Sequence, residues 1–525
     1  GDTEFQRLFW QYLRVRNIAF RHLVEQPGTS GLDWFGRHYY RISPLRAGLE
    51  STLYRRAFEV QSRGLDLGAI EIRTSPSRRW SELLRMLRDI AAQAKRFGDA
   101  EARAGRRRPE VGLVLHFIKS LTRGSRGSTT LHADPRTTSY GCRYGEWFHD
   151  RWREVVSIER VLRFYPEMLV LMRGIDVANV ELAVPTWTVR PLLRMVHAES
   201  SRAASRLATQ RPEWQVEPMR TTVHAGEDYR TLLEGIRRIH ELVEFGGITS
   251  GDRIGHAVAL GEEPSGWQLR AGATITQPRE ERLDDLLWLL ERFALRDIVG
   301  RKDFAIVLER EARAHAAAIY GGDVHLDVLL EARRYRHHVE TLQSTGYPFM
   351  TARRVTPRRR TNAATLLERY LTDASVFVNG QQPVAVAVDD DYVALVGKAQ
   401  QAVRRTLAKM QVTVESNPSS NLLIGELGDL NQHPAFRMQP LDSSGSDERL
   451  LLSINTDNPL TFATSLADEY AYIYYALLQH PQVTSTDALK WLDDRRSDGW
   501  LARFTLRASA APDVLTQLAR MPDRD

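Results

Sequence analysis

The chain has 525 residues, 42% of them hydrophobic and 26% charged, with a net charge of +6. That composition is ordinary for a globular protein, and the length suits roughly two to four domains, or one large domain with insertions. A single cysteine, Cys142, excludes a disulfide framework or a thiolate zinc site within one chain, and points to a reducing, cytoplasmic setting. No apolar run approaches the ~18 residues that cross a bilayer, so no membrane association is expected.

In chain order, residues 1–60 read as helical, because Phe5, Phe9, Tyr12, Leu13 and Val15 recur near helical spacing. GAIEIRTSP, residues 68–76, reads as a short strand ending at Pro76. The amphipathic run WSELLRMLRDIAAQAKRF predicts a helix, and VGLVLHF after it a fully buried parallel strand. Residues 122–144, rich in Gly, Ser, Thr and Arg, read as a long loop. MLVLMRGIDVA and MRTTVHAGE follow as strands, and then a helix, TLLEGIRRIHELVEF, that stops at Gly246-Gly247. GDRIGHAVAL gives another short strand.

Beyond this point the pattern changes. Residues 261–405 hold the helical LDDLLWLLERFAL, Arg- and His-rich helices, and SVFVNGQQPVAVAV, which reads as a β-ribbon turning at Asn379-Gly380. The strand–helix pattern resumes with the helix LVGKAQQAVRRTLAKM and the strands QVTVESNP and LLLSINTDNP, followed by a helical C-terminal region. Candidate strands therefore fall near 67–73, 111–117, 168–177, 220–224, 252–256, 411–415 and 450–457. Their C-terminal ends carry the polar chemistry: Glu71 and Arg73, His116, Asp176, His224, His256, Glu415 and Asp457. This placement is what a parallel (β/α) barrel requires of an active site. No Gly-rich phosphate loop follows any strand, which disfavours an open doubly wound sheet.

Four strand ends matter together: HAGE at 224–227, RIGH at 253–256, ESNPSSN at 415–421 and INTDNP at 454–459. In this order they resemble the adenosine deaminase family of metal-dependent hydrolases, whose patterns are close to HAGE, RIGHG, E-x-P-x-SN and NTDDP. IEIRTSP and GIDVANVE agree with two further family stretches. The resemblance implies an α/β fold, a TIM-like (β/α)8 barrel, here with a large helical and β insertion between strands 6 and 7 and extra helices. It divides the chain into a helical segment (1–60), a first barrel part (61–260), the insertion (261–405) and a second barrel part (406–525).

The resemblance also implies a Zn2+ cofactor, held by His224, Asp457 and a His-x-His pair on the first strand. Zinc activates water by lowering its pKa towards ~7, and His and carboxylate ligands suit it when cysteine is absent. Glu227 would protonate the purine ring; read alone, it could equally meet the positive end of a helix. His256 would serve the attacking water, or be a satisfied core histidine. Asn458 stands where the family has a second Asp that contacts the purine, and Asn179 where it has a Gly beside the base. Ala257 follows RIGH where Gly is usual.

No His-x-His occurs in the chain, so the first barrel strand is expected upstream of Gly1. His116 and His325 lack the spacing to replace it. A narrower resemblance rests on GLDWFGRHYYRISPLR, RGIDVANVELAVP and the arrangement of inserts. It is to deaminases of bacterial anti-phage defence, and implies a large homo-oligomer, an ATPase partner subunit, and adenosine-to-inosine conversion on an adenine nucleotide or RNA. The Arg-rich runs at 106–108, 353–354 and 358–360 fit a phosphorylated substrate. The alternative is a shell-forming scaffold whose deaminase site is degenerate.

Overall fold

The computed structural model describes residues 4, 5, 7–9, 11, 12, 15, 48–62, 65–119, 133–294, 298, 302–338, 361–424, 430–441, 449–459 and 464–522. Most of the N-terminal segment, the clusters Arg353-Arg354 and Arg358–Arg360, and all of GLDWFGRHYYRISPLR lie outside them. Nine strands are described: β1 (Ala69–Thr74), β2 (Glu110–Ile118), β3 (Met172–Ala178), β4 (Arg220–Ala225), β5 (Arg253–His256), β6 (Thr274–Pro278), β7 (Pro383–Ala387), β8 (Thr413–Ser416) and β9 (Leu451–Ile454).

Seven of them form one parallel sheet in the order β1-β2-β3-β4-β5-β8-β9. The order follows the chain without reversal, whereas a doubly wound sheet reverses at a switch point. β3 is buried at every position and β2 at nearly all, because helices cover one face and the interior of the curl the other. The helix Trp80–Arg103 lays Leu83, Leu87, Ile90, Ala94 and Phe97 into this core. At Gly174 the wall has no room for a side chain: a Cβ there would sit 2.8 Å from the Phe504 ring.

Side chains crossing the interior show that the sheet is rolled. Arg73 on β1 binds Asp176 on β3 and Glu415 on β8, both at 2.7 Å. Arg253 on β5 reaches Glu71 on β1 at 2.5 Å and Glu415 at 2.8 Å. Thr222 on β4 donates to Glu415 at 3.0 Å. Strands far apart in sheet order can meet this way only around a common axis. Burial alone would raise the Glu415 carboxyl, but Arg73 and Arg253 hold it down at about 2.

Two expectations are corrected. Asn379-Gly380 is not a hairpin turn; it ends a helix, Ala374–Gly380, capped by Asp373. The strand after it, β7, pairs antiparallel with β6, more than a hundred residues earlier. A ribbon does exist, but its two strands are distant in sequence. The apolar run at 168–177 is also not all strand. Pro166–Val170 forms a 3-10 turn, and β3 starts at Met172.

The described residues between β5 and β8 add no strand to the seven-stranded sheet. The helix Asp390–Met410 runs across position 405. It packs on the sheet side, where Gln400 donates to the carbonyls of Ala259 and Glu262. No helix of the described residues is long and apolar enough to cross a membrane.

Glu415→Gln removes one charge from a buried network and leaves Arg73 and Arg253 undercompensated. The expected cost is about 3–5 kcal/mol in urea unfolding. A loss below about 1 kcal/mol would show that these ion pairs do not hold the roll.

Candidate functional site

The site lies at the C-terminal ends of the parallel strands. His224 is the penultimate residue of β4 and His256 the last of β5. Asp457 and Asn458 follow β9, and Asn179 follows β3. The backbone here is unusual. Asn179 (φ 77°), His256 (65°), Ala257 (47°) and Asp457 (53°) all adopt left-handed conformations. Such conformations cost free energy in residues with a Cβ and collect at functional sites. Gly226, also left-handed at φ 77°, cannot be exchanged: a Cβ there would lie 2.4 Å from Ile239 Cδ1.

Two linked groups of side chains fill this end. In the first, the buried carboxylate of Asp176 accepts from His224 Nδ1 at 2.9 Å and from Arg73 at 2.7 Å. His116 Nε2 lies 2.9 Å from Asp176 Oδ2, the oxygen that Arg73 binds, off the line of a hydrogen bond. Burial would raise the Asp176 carboxyl; His224, Arg73 and His116 overcome it and hold the group well below the usual carboxylate range. In the second, His256 Nδ1 sits 2.8 Å from Glu227 Oε1. Asn421 Nδ2 donates to the same Oε1 at 3.1 Å and lies 2.7 Å from His256 Nδ1, and Asn417 is 3.3 Å from the ring. Burial would lower His256, but Glu227 and then Asp457 raise it to about 9. The rings of His224 and His256 bring the two groups together, with centroids 4.8 Å apart.

Glu227 does not cap the following helix. Thr231 does, by accepting from the Glu234 amide. Asp457 accepts from Ser420 at 2.8 Å. His116 is at the site, whereas His325 is three-quarters exposed at the start of another helix. Cys142 is buried, which pushes its thiol up to about 12 and leaves it unreactive.

Sequence reasoning missed four contributors. Asn417 and Asn421 stood inside the quoted ESNPSSN, where the signal was present but no role was assigned. Glu181 closes GIDVANVE; its carboxylate accepts the amides of Gly226 and Glu227 at 2.7 and 3.2 Å. Lys119 carried no signal, since it lies between the strand VGLVLHF and the loop at 122–144. It is buried, and its Nζ donates to the His224 carbonyl at 3.2 Å. Burial lowers its ammonium to about 8, against the opposing pull of Glu181.

Among the described residues the donor set for a metal is incomplete. His224 has Nδ1 bound to a carboxylate, which orients Nε2 as a ligand nitrogen in the way metal-binding histidines are oriented. Asp457 could be a second donor. Catalytic zinc takes three protein ligands, and the described residues contain no cluster of three or more His, Cys, Asp or Glu side chains able to hold a metal.

No protein-family model and no curated protein matches the chain. Among solved structures, an adenine deaminase from Arthrobacter aurescens aligns over 93% of this chain and 94% of its own, at 13% identity and a TM-score of 0.38. A likeness that distant carries no argument about function.

The raised His256 predicts a pH dependence. Its pair with Glu227 stabilises the fold fully below the ordinary histidine value near 6.5 and is lost as pH rises through about 9. Thermal unfolding in chelator should therefore show stability falling from pH 6.5 to 9, with a flatter profile in Glu227→Gln. An identical slope in both proteins would refute the pairing.

Proposed function

We propose that this protein is a hydrolytic deaminase of the adenosine deaminase family, built on an eight-stranded barrel and converting adenosine moieties to inosine. The observation that carries this reading is the convergence of Glu227, His256, His224 and the Asp457-Asn458 pair at one end of a curled parallel sheet. These come from three strand ends, those of β4, β5 and β9, and they occur along the chain in the order of the family's motifs.

In the overall reaction, water adds at C6 of the purine and the exocyclic amine leaves as ammonia. Glu227 sits in a water-poor pocket, bonded to His256 and Asn421; the proton it shares with His256 would move to Glu227 when substrate fills the site, and Glu227 would donate it to the ring nitrogen as C6 is attacked. His256, neutral once that proton has moved to Glu227, would take the proton of the attacking water. The direct Glu227–His256 contact keeps both proton-transfer groups in one pair. Asn458 offers an amide to the purine, and the left-handed turn at Asn179 leaves backbone beside the base. A bound zinc ion would lower the pKa of water near its site. His224 and Asp457 would hold it together with donors beyond the described residues.

The positive balance and the Arg runs support a phosphorylated substrate, ATP, dATP or RNA adenosine. The narrower likeness in RGIDVANVELAVP and the long segment between β5 and β8 supports kinship with RdrB, the deaminase subunit of the bacterial RADAR anti-phage system. On that reading the chain forms a large cytoplasmic homo-oligomer and works with an ATPase partner. The competing reading, a scaffold with a degenerate site, draws on the incomplete donor set.

Ammonia release from ATP, dATP, adenosine and a short RNA, measured beside zinc content, separates the two. The deaminase reading expects release that falls by about 10²–10⁴ in Glu227→Gln. No release from any of the four, and no zinc, would leave the scaffold. Replacing Arg353, Arg354 and Arg358 by Ala should raise KM for ATP and leave KM for adenosine unchanged; equal effects on both would remove these residues as phosphate readers.

A further inference from the structure

The turn from His224 to Glu227 is held by side chains from two neighbouring strand ends. The His224 carbonyl accepts from Lys119 Nζ, after β2. The amides of Gly226 and Glu227 both donate to the Glu181 carboxylate, after β3, one to each oxygen. The Gly226 carbonyl accepts from the Ala259 amide, after β5, at 2.8 Å. Lys119 and Glu181 are both buried, and their opposite charges attract across the turn.

Glu181 is itself placed by its surroundings. The left-handed turn at Asn179, closed by its side chain on the Val180 amide, directs the chain so that Glu181 reaches towards β4. Arg238 donates to the Glu181 carbonyl at 3.0 Å. The same guanidinium binds Glu234 on its own helix and, at 2.9 Å, Glu281 on the helix Arg279–Ala294. That helix lies in the segment between β5 and β8.

We infer that Glu181 is a positioning residue for the turn that carries Glu227, gripping two consecutive amides, with Lys119 holding the carbonyl side and Arg238 tying the grip to the helix Arg279–Ala294. The geometry explains why a glycine in a left-handed conformation sits at 226. Both amides must point the same way, into one carboxylate, while the side chain of Glu227 points to His256. Without the carboxylate, two buried amides lose their acceptor and the turn can rotate. A displacement of the order of 1 Å at Glu227 would slow proton transfer strongly without touching the rest of the pocket. The segment between β5 and β8 is thereby linked, through Arg238 and Glu181, to the turn that carries the proton donor. This inference rests on the reading of Glu227 as proton donor, but its structural half is tested separately.

The experiment compares wild type, Glu181→Ala, Glu181→Gln and Arg238→Met in the full chain. Hydrogen exchange is followed by mass spectrometry, alongside kcat and KM for the substrate that wild type turns over best. In Glu181→Ala the peptide spanning Thr221–Thr231 should exchange about tenfold faster or more, with the rest of the chain unchanged. Its kcat should fall at least about tenfold while KM stays within about twofold. Glu181→Gln, which keeps one acceptor oxygen, should lie between the two proteins, and it serves as the test if the alanine variant does not fold. Arg238→Met should speed exchange in the same peptide. Unchanged exchange at 221–231, or faster exchange spread over the whole chain, would overturn the positioning role. If wild type releases no ammonia, the deaminase reading fails, and the exchange data still decide whether Glu181 holds the turn.

Discussion

Everything at this site depends on a lattice of buried charges inside the curled sheet. Glu71, Arg253, Glu415, Arg73 and Asp176 alternate in sign and, apart from the Arg253–Glu415 pair on adjacent strands, join strands that are not neighbours. Charges out of water are costly, and each is kept only because partners on other strands satisfy it. The lattice therefore fixes how tightly the sheet rolls. Its last member, Asp176, is also the partner of His224, so the interior network and the site share a carboxylate. The Arg253 guanidinium, stacked 3.5 Å above Phe504, fastens the same network to the C-terminal region.

Above this lattice the chain spends conformational free energy at chosen points. Left-handed residues end or follow β3, β5 and β9, and Gly226 follows β4. Each turns the chain sharply as it leaves the sheet, so that a side chain faces the common centre instead of continuing along the strand. The surrounding hydrogen bonds over-determine these turns. Asn179 bonds its own following amide, Asp457 is held by Ser420, and the turn at Gly226 is held by Glu181 and Ala259.

The segment between β5 and β8 is not a passive addition. Its helices meet the helix Leu232–Glu244 through a second set of buried ions. Arg237 binds Asp285 at 2.7 Å and Glu281 at 2.5 Å, and Arg333 bridges Glu241 and Glu291. The helix so clamped begins just after Glu227. Burial by itself would raise Glu241, yet Arg237 and Arg333 hold it far below its ordinary value, a sign of how closely the two units are paired. The aromatic faces add to the contact, with Phe245 stacked on His337 at 4.3 Å.

The sequence by itself determined the parallel strands, the order of the polar residues at their ends, and the candidates His224, Glu227, His256, Asp457, Asn458 and Asn179. These were legible because buried strands are continuous apolar runs, and because a motif places its reacting groups within a few residues of one another. Only the tertiary structure decided which charges meet. The pairing of Arg73 with Glu415, the meeting of Glu181 with the amides of 226 and 227, and the burial of Lys119 join residues from separate strands. It also decided that β7 pairs with β6 and not with its sequence neighbour. Local pattern reports what a residue presents to its own element. The desolvation and the partner that give a buried charge its role come from other elements, brought near only when the sheet rolls.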